Sequence, residues 1–454
     1  MTHTPRKTAR RAVIGGLLAT AMVVVAGCSS GSAGAPEGGG VGTAKKPVTV
    51  RMIANEAFAN QWQDLMVPEF NKKYPNIKVQ IDGVPYAELL AKSMLDQTGA
   101  KPTYDVIIAD DPWIPQLAQT GSLLDLKKDA KQWTEDDYDW DDFYAAPLAA
   151  GEWDGVQYGV PVRSNLLLMF TNKTLYKDAG VPVPTDKLTW DEFFEQAPKL
   201  VRDTNGDGKA DVWATDTYFT RDSLTPTVWQ TVLNSDGGQL LDKDNKPAFD
   251  NAEGVKALQT QIDMIEFAPP GASTHGFNES LEAFRQGKVA SLFMWGSVFK
   301  GTAVDPKTTT LTPDQVGIQV MPVGDKMAGA HRGIWSAAVS SKSANPEAAW
   351  ALTQWLSSKE GEVWQANELG VFPARKSTLA STPHAGSEWL APVFTALAEG
   401  FQAAGDGEMW RPRLAESDAV QQILATETAR ATSGEVTAKE ALKNAAAQIE
   451  KLLG

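Results

Sequence analysis

Tyr104-Asp105-Val106-Ile107-Ile108-Ala109 is apolar without a break after its aspartate, and Asp110-Asp111-Pro112-Trp113 follows at once. A run of this kind reads as a strand buried on both faces, as in a parallel sheet covered by helices, whereas a strand with one wet face alternates. Upstream, residues 48–53 form a β-branched run and residues 77–81 form another. Between them Trp62, Leu65, Met66 and Phe70 fall at helical spacing up to Tyr74 and Pro75, and residues 86–94 carry a second helical pattern. Strand, helix, strand, helix, strand at this spacing is α/β with a largely parallel sheet. In such sheets ligands sit beyond the carboxyl ends of the strands. That rule selects Asn55 and Glu56 after the first strand, and Asp110, Asp111 and Trp113 after the third.

Downstream the pattern changes around residues 155–161, and the apolar run 166–171 opens a second α/β region. Residues 190–201 are amphipathic, with Thr189 placed to cap them and Glu192 at capping-box spacing. Residues 255–267 are helical up to Pro269, Pro270 and Gly271; residues 279–286 are helical again, and residues 289–295 return as a strand. Residues 318–322 and 334–340 read as further strands, and beyond Pro346 the chain is mostly helical, with no repeat at solenoid or propeller spacing. Residues 45–454 are too many for one ordinary core and suit two lobes. With 43% apolar and 22% charged residues the composition is that of a soluble globular protein. A formal charge of −14 argues against a nucleic-acid or anionic-lipid surface, which needs clustered Lys and Arg. Glu135, Asp136, Asp137, Asp139, Asp141 and Asp142 read as a solvated acidic surface, with a cation site as the alternative.

The N-terminus places the chain outside the cytoplasm. Arg6, Lys7, Arg10 and Arg11 precede an apolar stretch at residues 13–26, which is too short for a membrane span and reads as a secretory signal. Arg10 and Arg11 also fit a twin-arginine export signal. Val25-Ala26-Gly27-Cys28 resembles the lipobox of bacterial lipoproteins, in which the cysteine is acylated and becomes the new N-terminus. Cys28 is the single cysteine, so the exported protein has no disulfide framework and its cores must suffice alone. Residues 29–43 are nearly all Ser, Gly and Ala, a composition that buries no core and reads as a tether.

Several further patterns recur in order. They are Phe70-Asn71-Lys72-Lys73-Tyr74-Pro75 before a strand, Leu117-Ala118-Gln119-Thr120-Gly121-Ser122-Leu123-Leu124-Asp125-Leu126, and Gly159-Val160-Pro161 with Thr171-Asn172-Lys173. Leu188-Thr189-Trp190-Asp191-Glu192-Phe193, Phe284-Arg285-Gln286-Gly287-Lys288-Val289-Ala290, Ser343-Ala344-Asn345-Pro346-Glu347-Ala348-Ala349-Trp350 and Gly370-Val371-Phe372-Pro373 complete the series. Together they are similar to the extracellular solute-binding proteins of ATP-driven importers, the carbohydrate-binding group related to maltose-binding protein. The resemblance covers nearly the whole mature chain. It implies a periplasmic-binding-protein-like α/β fold of two lobes with a ligand cleft between them and three hinge crossovers, expected near residues 158–161, 291–295 and 333–338. The expected order is a signal peptide at 1–27, a tether at 28–45, the first lobe at 46–158 and the second at 159–290. A return to the first lobe at 291–336 follows, and the helical part of the second fills 337–454, some of it packing across the cleft. It further implies a carbohydrate ligand, delivery to the permease subunits of an importer, a lipid anchor in the membrane and a monomer.

A sugar offers hydroxyls on its rim and weakly apolar faces, so its site needs aromatic platforms and groups that trade hydrogen bonds. Fifteen tryptophans suit that chemistry. Trp295 and Trp335 fall at expected crossovers, the latter just after Gly333, and Trp113 follows the third strand. Trp190, Trp350, Trp355 and Trp364 fall at helical spacing and read as core. Asp111 ranks first among carboxylates, because Asp110 fits a helix cap at least as well. Glu279 precedes the helix leading to the second expected crossover. The resemblance adds Asn165, four residues after Pro161 where the maltose-binding type carries a ligand-facing polar group. It also adds Arg411, beside Trp410 and Pro412, as a C-terminal arginine reaching the cleft; an exposed arginine is the other reading.

Asp203, Asn205, Asp207 and Asp211 lie in a D-x-N-x-D-G-x-x-D loop with oxygen ligands at odd positions, but position twelve is Ala214 where a calcium hand carries glutamate. The loop is a structural calcium site or a polar turn; no cofactor is otherwise required. An enzyme is disfavoured. His3, His275, His331 and His384 show no metal-ligand spacing, and no G-x-S-x-G elbow or phosphate loop is present. A solute sensor of the same fold is the other alternative. Trehalose or a maltose-like disaccharide is the first expected ligand and a polyol or monosaccharide the second.

Overall fold

The computed structural model describes residues 47–185, 187–222, 224–404 and 411–454. Cys28, the export signal and the tether lie outside the described residues, as does Trp410. Nine strands carry the architecture: β1 (Val48–Asn55), β2 (Ile77–Val84), β3 (Val106–Asp110), β4 (Gly159–Arg163), β5 (Leu167–Asn172), β6 (Trp213–Asp216), β7 (Val289–Trp295), β8 (Val316–Gln319) and β9 (Trp335–Val339). They form two sheets, ordered β2-β1-β3-β9-β4 and β8-β5-β7-β6. In the first, β1 runs parallel to both β2 and β3, while β9 is antiparallel to β3 and β4. In the second, β7 is antiparallel to β5 and parallel to β6. The continuously apolar strands sit where their sequences require: every residue of β3 and of β7 is buried.

Helices cover both sheets. Those used below are α1 (Tyr86–Thr98), α2 (Phe277–Arg285), α3 (Pro346–Leu356), α4 (Lys359–Leu369), α5 (Ser417–Thr432) and α6 (Ala438–Leu453). Trp350, Leu352, Trp355 and Leu356 of α3 pack with Val50, Met52 and Val106 of the first sheet. Val420 and Leu424 of α5, with Leu442 and Ile449 of α6, join the core around β5 and β7. The capping box expected at Thr189 and Glu192 is formed, with Thr189 Oγ1 accepting from Glu192 N at 3.2 Å. No helix among the described residues is long and apolar enough to cross a membrane.

Three segments cross between the sheets, and they hydrogen-bond to one another. Ser164 N donates to Phe372 O at 2.9 Å, Leu167 N to His331 O at 2.9 Å, and Gly333 N to Asn165 O at 3.1 Å. These positions correct the expected boundaries. Residues 159–163 belong to the first sheet, so the first crossing comes one strand later than expected. Residues 291–295 are no crossover but the inner part of β7, flanked by β5 and β6. The return assigned to 291–336 therefore belongs mostly to the second sheet, and the first is re-entered only at Trp335. The chain does cross near the expected 333–338, and because residues 337–339 and α3 then pack with the first sheet, the remaining crossing lies at Phe372. A strand buried on both faces carries no local mark of which sheet it joins, and that is why β7 was misplaced.

Candidate functional site

The first sheet ends its third strand on a carboxylate pair. Asp110 closes β3, and its Oδ1 accepts from Asp111 N at 3.1 Å, capping the 3-10 turn Asp111–Trp113. Tyr86, the first residue of α1, donates its phenol to Asp110 Oδ2 at 2.8 Å. Arg411 arrives from the C-terminal part of the chain and forks onto the same carboxylate, Nη1 to Oδ2 at 2.7 Å and Nη2 to Oδ1 at 2.5 Å. Nη2 also donates to Asp111 Oδ1. All three charged groups are buried, Asp111 completely. One guanidinium thus serves two carboxylates, and Asp111 Oδ2 has no hydrogen-bond partner among the described residues. Burial, opposed by the Arg411 charge and reinforced by the Asp110 carboxylate, pushes the Asp111 carboxyl up to about 7.

Beside this cluster lies a cavity of about 360 Å³ between the lobes. Its first-lobe wall is Tyr86, Asp110 and Trp335; its second-lobe wall includes Asp222, Leu224, Phe277, Trp295 and Ser297. Asn165 and Gly333, from two crossings, form its floor with Arg411. Asn165 fastens that floor to the second lobe, Nδ2 donating to Ser297 Oγ at 2.9 Å and Oδ1 accepting from Ser297 N at 3.0 Å. Trp295 packs against Gly333: a Cβ there would stand 2.7 Å from Trp295 Cζ3, so only glycine lets the crossing and the ring meet. Trp335 packs edge-on against Phe58 and Tyr86, with centroids 5.4 and 5.9 Å apart. Behind the far wall His275 Nδ1 meets the buried Asp216 at 2.8 Å, and the His275 carbonyl accepts from Phe219 N and Thr220 N. This ties the loop bearing Asp222 to the segment that leads into Phe277. The Asp216 hydrogen bond holds His275 above its ordinary range.

Trp295, Trp335, Asn165, Gly333 and Arg411 thus come together in one cavity. Asp110 lines it and Asp111 does not. Asn55 instead caps the helix Glu56–Gln61, accepting from Ala57 N at 2.8 Å, and Glu56 is exposed on that helix. Glu279 is likewise a cap, accepting from Gly276 N at 3.0 Å at the start of α2, and it is exposed. Trp113 is buried and borders a neighbouring chamber. Tyr86, Asp222, Leu224, Phe277 and Ser297 were missed. Of these only Tyr86, just after β2, stood where the strand-end rule points.

The D-x-N-x-D-G loop closes on itself. Asp203 accepts from Gly206 N at 2.6 Å and Gly208 N at 2.7 Å, Asn205 from Asp207 N, Asp207 from Lys209 N, and Asp211 from Thr204 N. Among the described residues no group of three or more His, Cys, Asp or Glu side chains is arranged to hold a metal ion.

Residues 55–363 match the family model described as bacterial extracellular solute-binding protein. The chain belongs to that family. The solute-binding protein is 26% identical over 335 residues to a probable amino-acid ABC transporter periplasmic-binding protein of Sinorhizobium fredii, covering 73% of each chain. It is 29% identical over 268 residues to a mannitol-binding protein of Pseudomonas aeruginosa, covering 56% of this chain and 58% of that one. Among solved structures, an ABC transporter solute-binding protein from Agrobacterium radiobacter in complex with ribitol superposes with a TM-score of 0.74 at 27% identity, covering 90% of this chain and 99% of that one. The GacH receptor of Streptomyces glaucescens, solved unliganded and with acarbose, gives 0.72 at 25% identity, covering 89% and 98%. The family binds substrates for ABC transporters and does not transform them, so this solute-binding protein is not an enzyme.

Proposed function

We propose that this solute-binding protein captures a small, neutral, polyhydroxylated solute, from a sugar alcohol to a disaccharide, and hands it to the permease of an ABC importer. The observation that carries this reading is a cavity walled from both lobes by Trp295, Trp335, Tyr86 and Phe277, with Asp110, Asp222 and Ser297 among them. Rings supply platforms for C–H faces, and the Asp222 carboxylate and Ser297 hydroxyl take the sugar hydroxyls, while Asp110 is held by Tyr86 and Arg411. Contacts on both walls favour the closed arrangement of the lobes. At about 360 Å³ the cavity is near the lower end of the roughly 300–1,000 Å³ usual for small-molecule sites. That size, with the mannitol- and ribitol-binding relatives, favours a polyol or a one- or two-ring sugar. A free amino acid fits less well. Its carboxylate needs a cation, and Arg411, the one cation lining the cavity among the described residues, is already bound to Asp110 and Asp111.

A thermal-shift screen of polyols, monosaccharides and disaccharides tests the reading, because a ligand of the native state raises the melting temperature by mass action. With the sugar that shifts it most, Trp295→Ala is expected to weaken calorimetric affinity by roughly 30- to 150-fold, the loss of one large aromatic contact. Retained affinity would remove Trp295 from the site.

The reading extends to location. Cys28 after Val25-Ala26-Gly27 supports acylation and anchoring at the outer face of the cytoplasmic membrane, with residues 29–43 as a tether. Cys28→Ser is expected to abolish palmitate labelling and to move the protein from the membrane fraction to the medium. Labelling that survives the substitution would place the anchor elsewhere.

A further inference from the structure

The second-lobe wall of the cavity is carried largely by two segments that are distant in sequence. Asp222 and Leu224 follow the end of β6, and Phe277 opens α2. His275 joins them. Its carbonyl accepts from Phe219 N at 2.9 Å and Thr220 N at 3.0 Å, and its Nδ1 meets Oδ2 of Asp216, the last residue of β6, at 2.8 Å. Tyr218 stacks on Phe277 with ring planes 5° apart and centroids at 6.3 Å, so the two segments also touch beside the cavity.

The pair is fixed to the sheet behind it. Asp216 is fully buried, and its Oδ1 accepts from Thr217 N at 2.9 Å. Thr217 Oγ1 donates in turn to Phe293 O at 2.9 Å, in β7 two residues before Trp295. A line of hydrogen bonds thus runs from the strand that bears Trp295, through Asp216 and His275, to the segments that bear Asp222 and Phe277. The charged groups acting on His275 are Asp216, from β6, and Glu279, from α2, and only Asp216 bonds to the ring. A bond between a protonated imidazole and a carboxylate is roughly twice as strong as its neutral counterpart.

We propose that His275 is a positioning residue for solute binding: protonated and paired with Asp216, it holds Asp222 and Phe277 where the cavity needs them, although its own side chain does not line the cavity. This rests on the cavity being the solute site. The Asp216 hydrogen bond keeps His275 above its ordinary value of 6.5, so the charged pair is fully present below that value and is lost as pH rises through the raised one. Affinity then falls with rising pH, because the apparent affinity scales with the fraction of molecules whose wall is in place.

The test is calorimetric titration with mannitol, ribitol, maltose and trehalose at pH 6 and pH 9, on the full chain and on His275→Asn, whose amide offers Asp216 a neutral donor. Asp111 titrates in the same range, so the quantity read is the ratio of wild-type to variant affinity at each pH, in which its contribution cancels. That ratio is expected to be roughly fivefold or more at pH 6 and within about twofold at pH 9. His275→Ala, which removes the donor, is expected to bind more weakly than His275→Asn at both. Glu279→Gln, which removes the other charge and keeps an acceptor for Gly276 N, is expected to retain the wild-type pH profile. The same ratio at both pH values, or a profile lost in Glu279→Gln and kept in His275→Asn, would overturn the inference, and solute binding by the wild type would leave the sugar reading intact. Silence of the wild type with all four solutes would overturn both.

Discussion

Arg411→Ala is expected to lower the unfolding free energy by about 3–5 kcal/mol at pH 8, read as a fall in the urea midpoint, and to lower it by clearly less at pH 5. The magnitude follows from what stays behind. Breaking a buried ion pair by removing one partner leaves an uncompensated charge in a poor solvent, which costs more than the pair contributed. Here two carboxylates, Asp110 and Asp111, would be stranded, with the Tyr86 hydroxyl and one backbone N–H as their remaining hydrogen-bond donors among the described residues and the charge of Arg413 as the remaining cation acting on Asp111. The pH dependence follows from Asp111, whose carboxyl stands at about 7 in the fold against 3.8 outside it. A folded-state value above the unfolded one means that the folded protein holds the proton more tightly. The stability this lends is fully present below pH ~4 and is lost as pH rises through 7. Removing the guanidinium takes away the charge that pulls Asp111 down, so the variant loses most where the Asp111 carboxyl must ionise. A second substitution, Asp111→Asn, removes one of the stranded charges and should recover part of the loss at pH 8. Equal loss at pH 5 and pH 8 would mean that Arg411 acts through packing alone. Affinity for the solute should fall as well, because Asp110 and Tyr86 both line the cavity and both lose a partner.

The parts of this site that the sequence declared are those whose chemistry is local. The unbroken apolar run ending in Asp110 and Asp111 announces a buried strand with carboxylates at its mouth, and Gly333 beside Trp335 marks a crossing. Which of two adjacent carboxylates faces the cavity is a matter of the turn that follows, and the capping signal that argued against Asp110 is real: it caps the turn and lines the cavity together. Asn55 and Glu279 show the reverse case, capping without lining the cavity. Each sits at a helix start with cap spacing, and the cap is its use. The strand-end rule does not say which strand ends matter, because the cavity forms along β3 and β9, and the place of β9 next to β3 depends on a pairing more than two hundred residues away. Asp222 and Phe277 carried no local mark. Their loops are joined through Asp216 and His275, a contact between residues 59 apart in the chain.

The third crossing gives the other large effect: Arg375→Ala is expected to cost about 3–5 kcal/mol, again read in urea, although it touches no part of the cavity. Arg375 is buried just after Phe372 and spends its whole fork. Nε donates to Ser357 O at 2.6 Å, Nη1 to Asp139 O at 2.8 Å and to Asp142 Oδ2 at 3.3 Å, and Nη2 to Tyr138 O at 2.7 Å. Its guanidinium also stacks over Phe143 at 4.0 Å from the ring centre. Its own amide and that of Ala374 donate to the buried Glu362, at 3.1 and 2.8 Å. One side chain therefore binds the end of α3 and the acidic segment around Tyr138 to the crossing, while α4 holds the crossing's backbone. Three carbonyls would lose the guanidinium that serves them, and the Asp142 carboxylate would keep only its bonds from Ser377. Arg375→Lys should recover little, because a single ammonium cannot reproduce a planar fork that serves four acceptors at once. Lys243→Ala, which breaks an exposed pair with Asp244, is the contrast, with an expected change within about 0.5 kcal/mol. If Arg375→Ala cost no more than Lys243→Ala, the acidic segment would be held by its apolar contacts alone. If it cost the expected amount and weakened solute binding too, the crossing would be transmitting its order to the cavity. Phe372 is the physical route for that, since it hydrogen-bonds to Ser164, next to the Asn165 that forms the cavity floor.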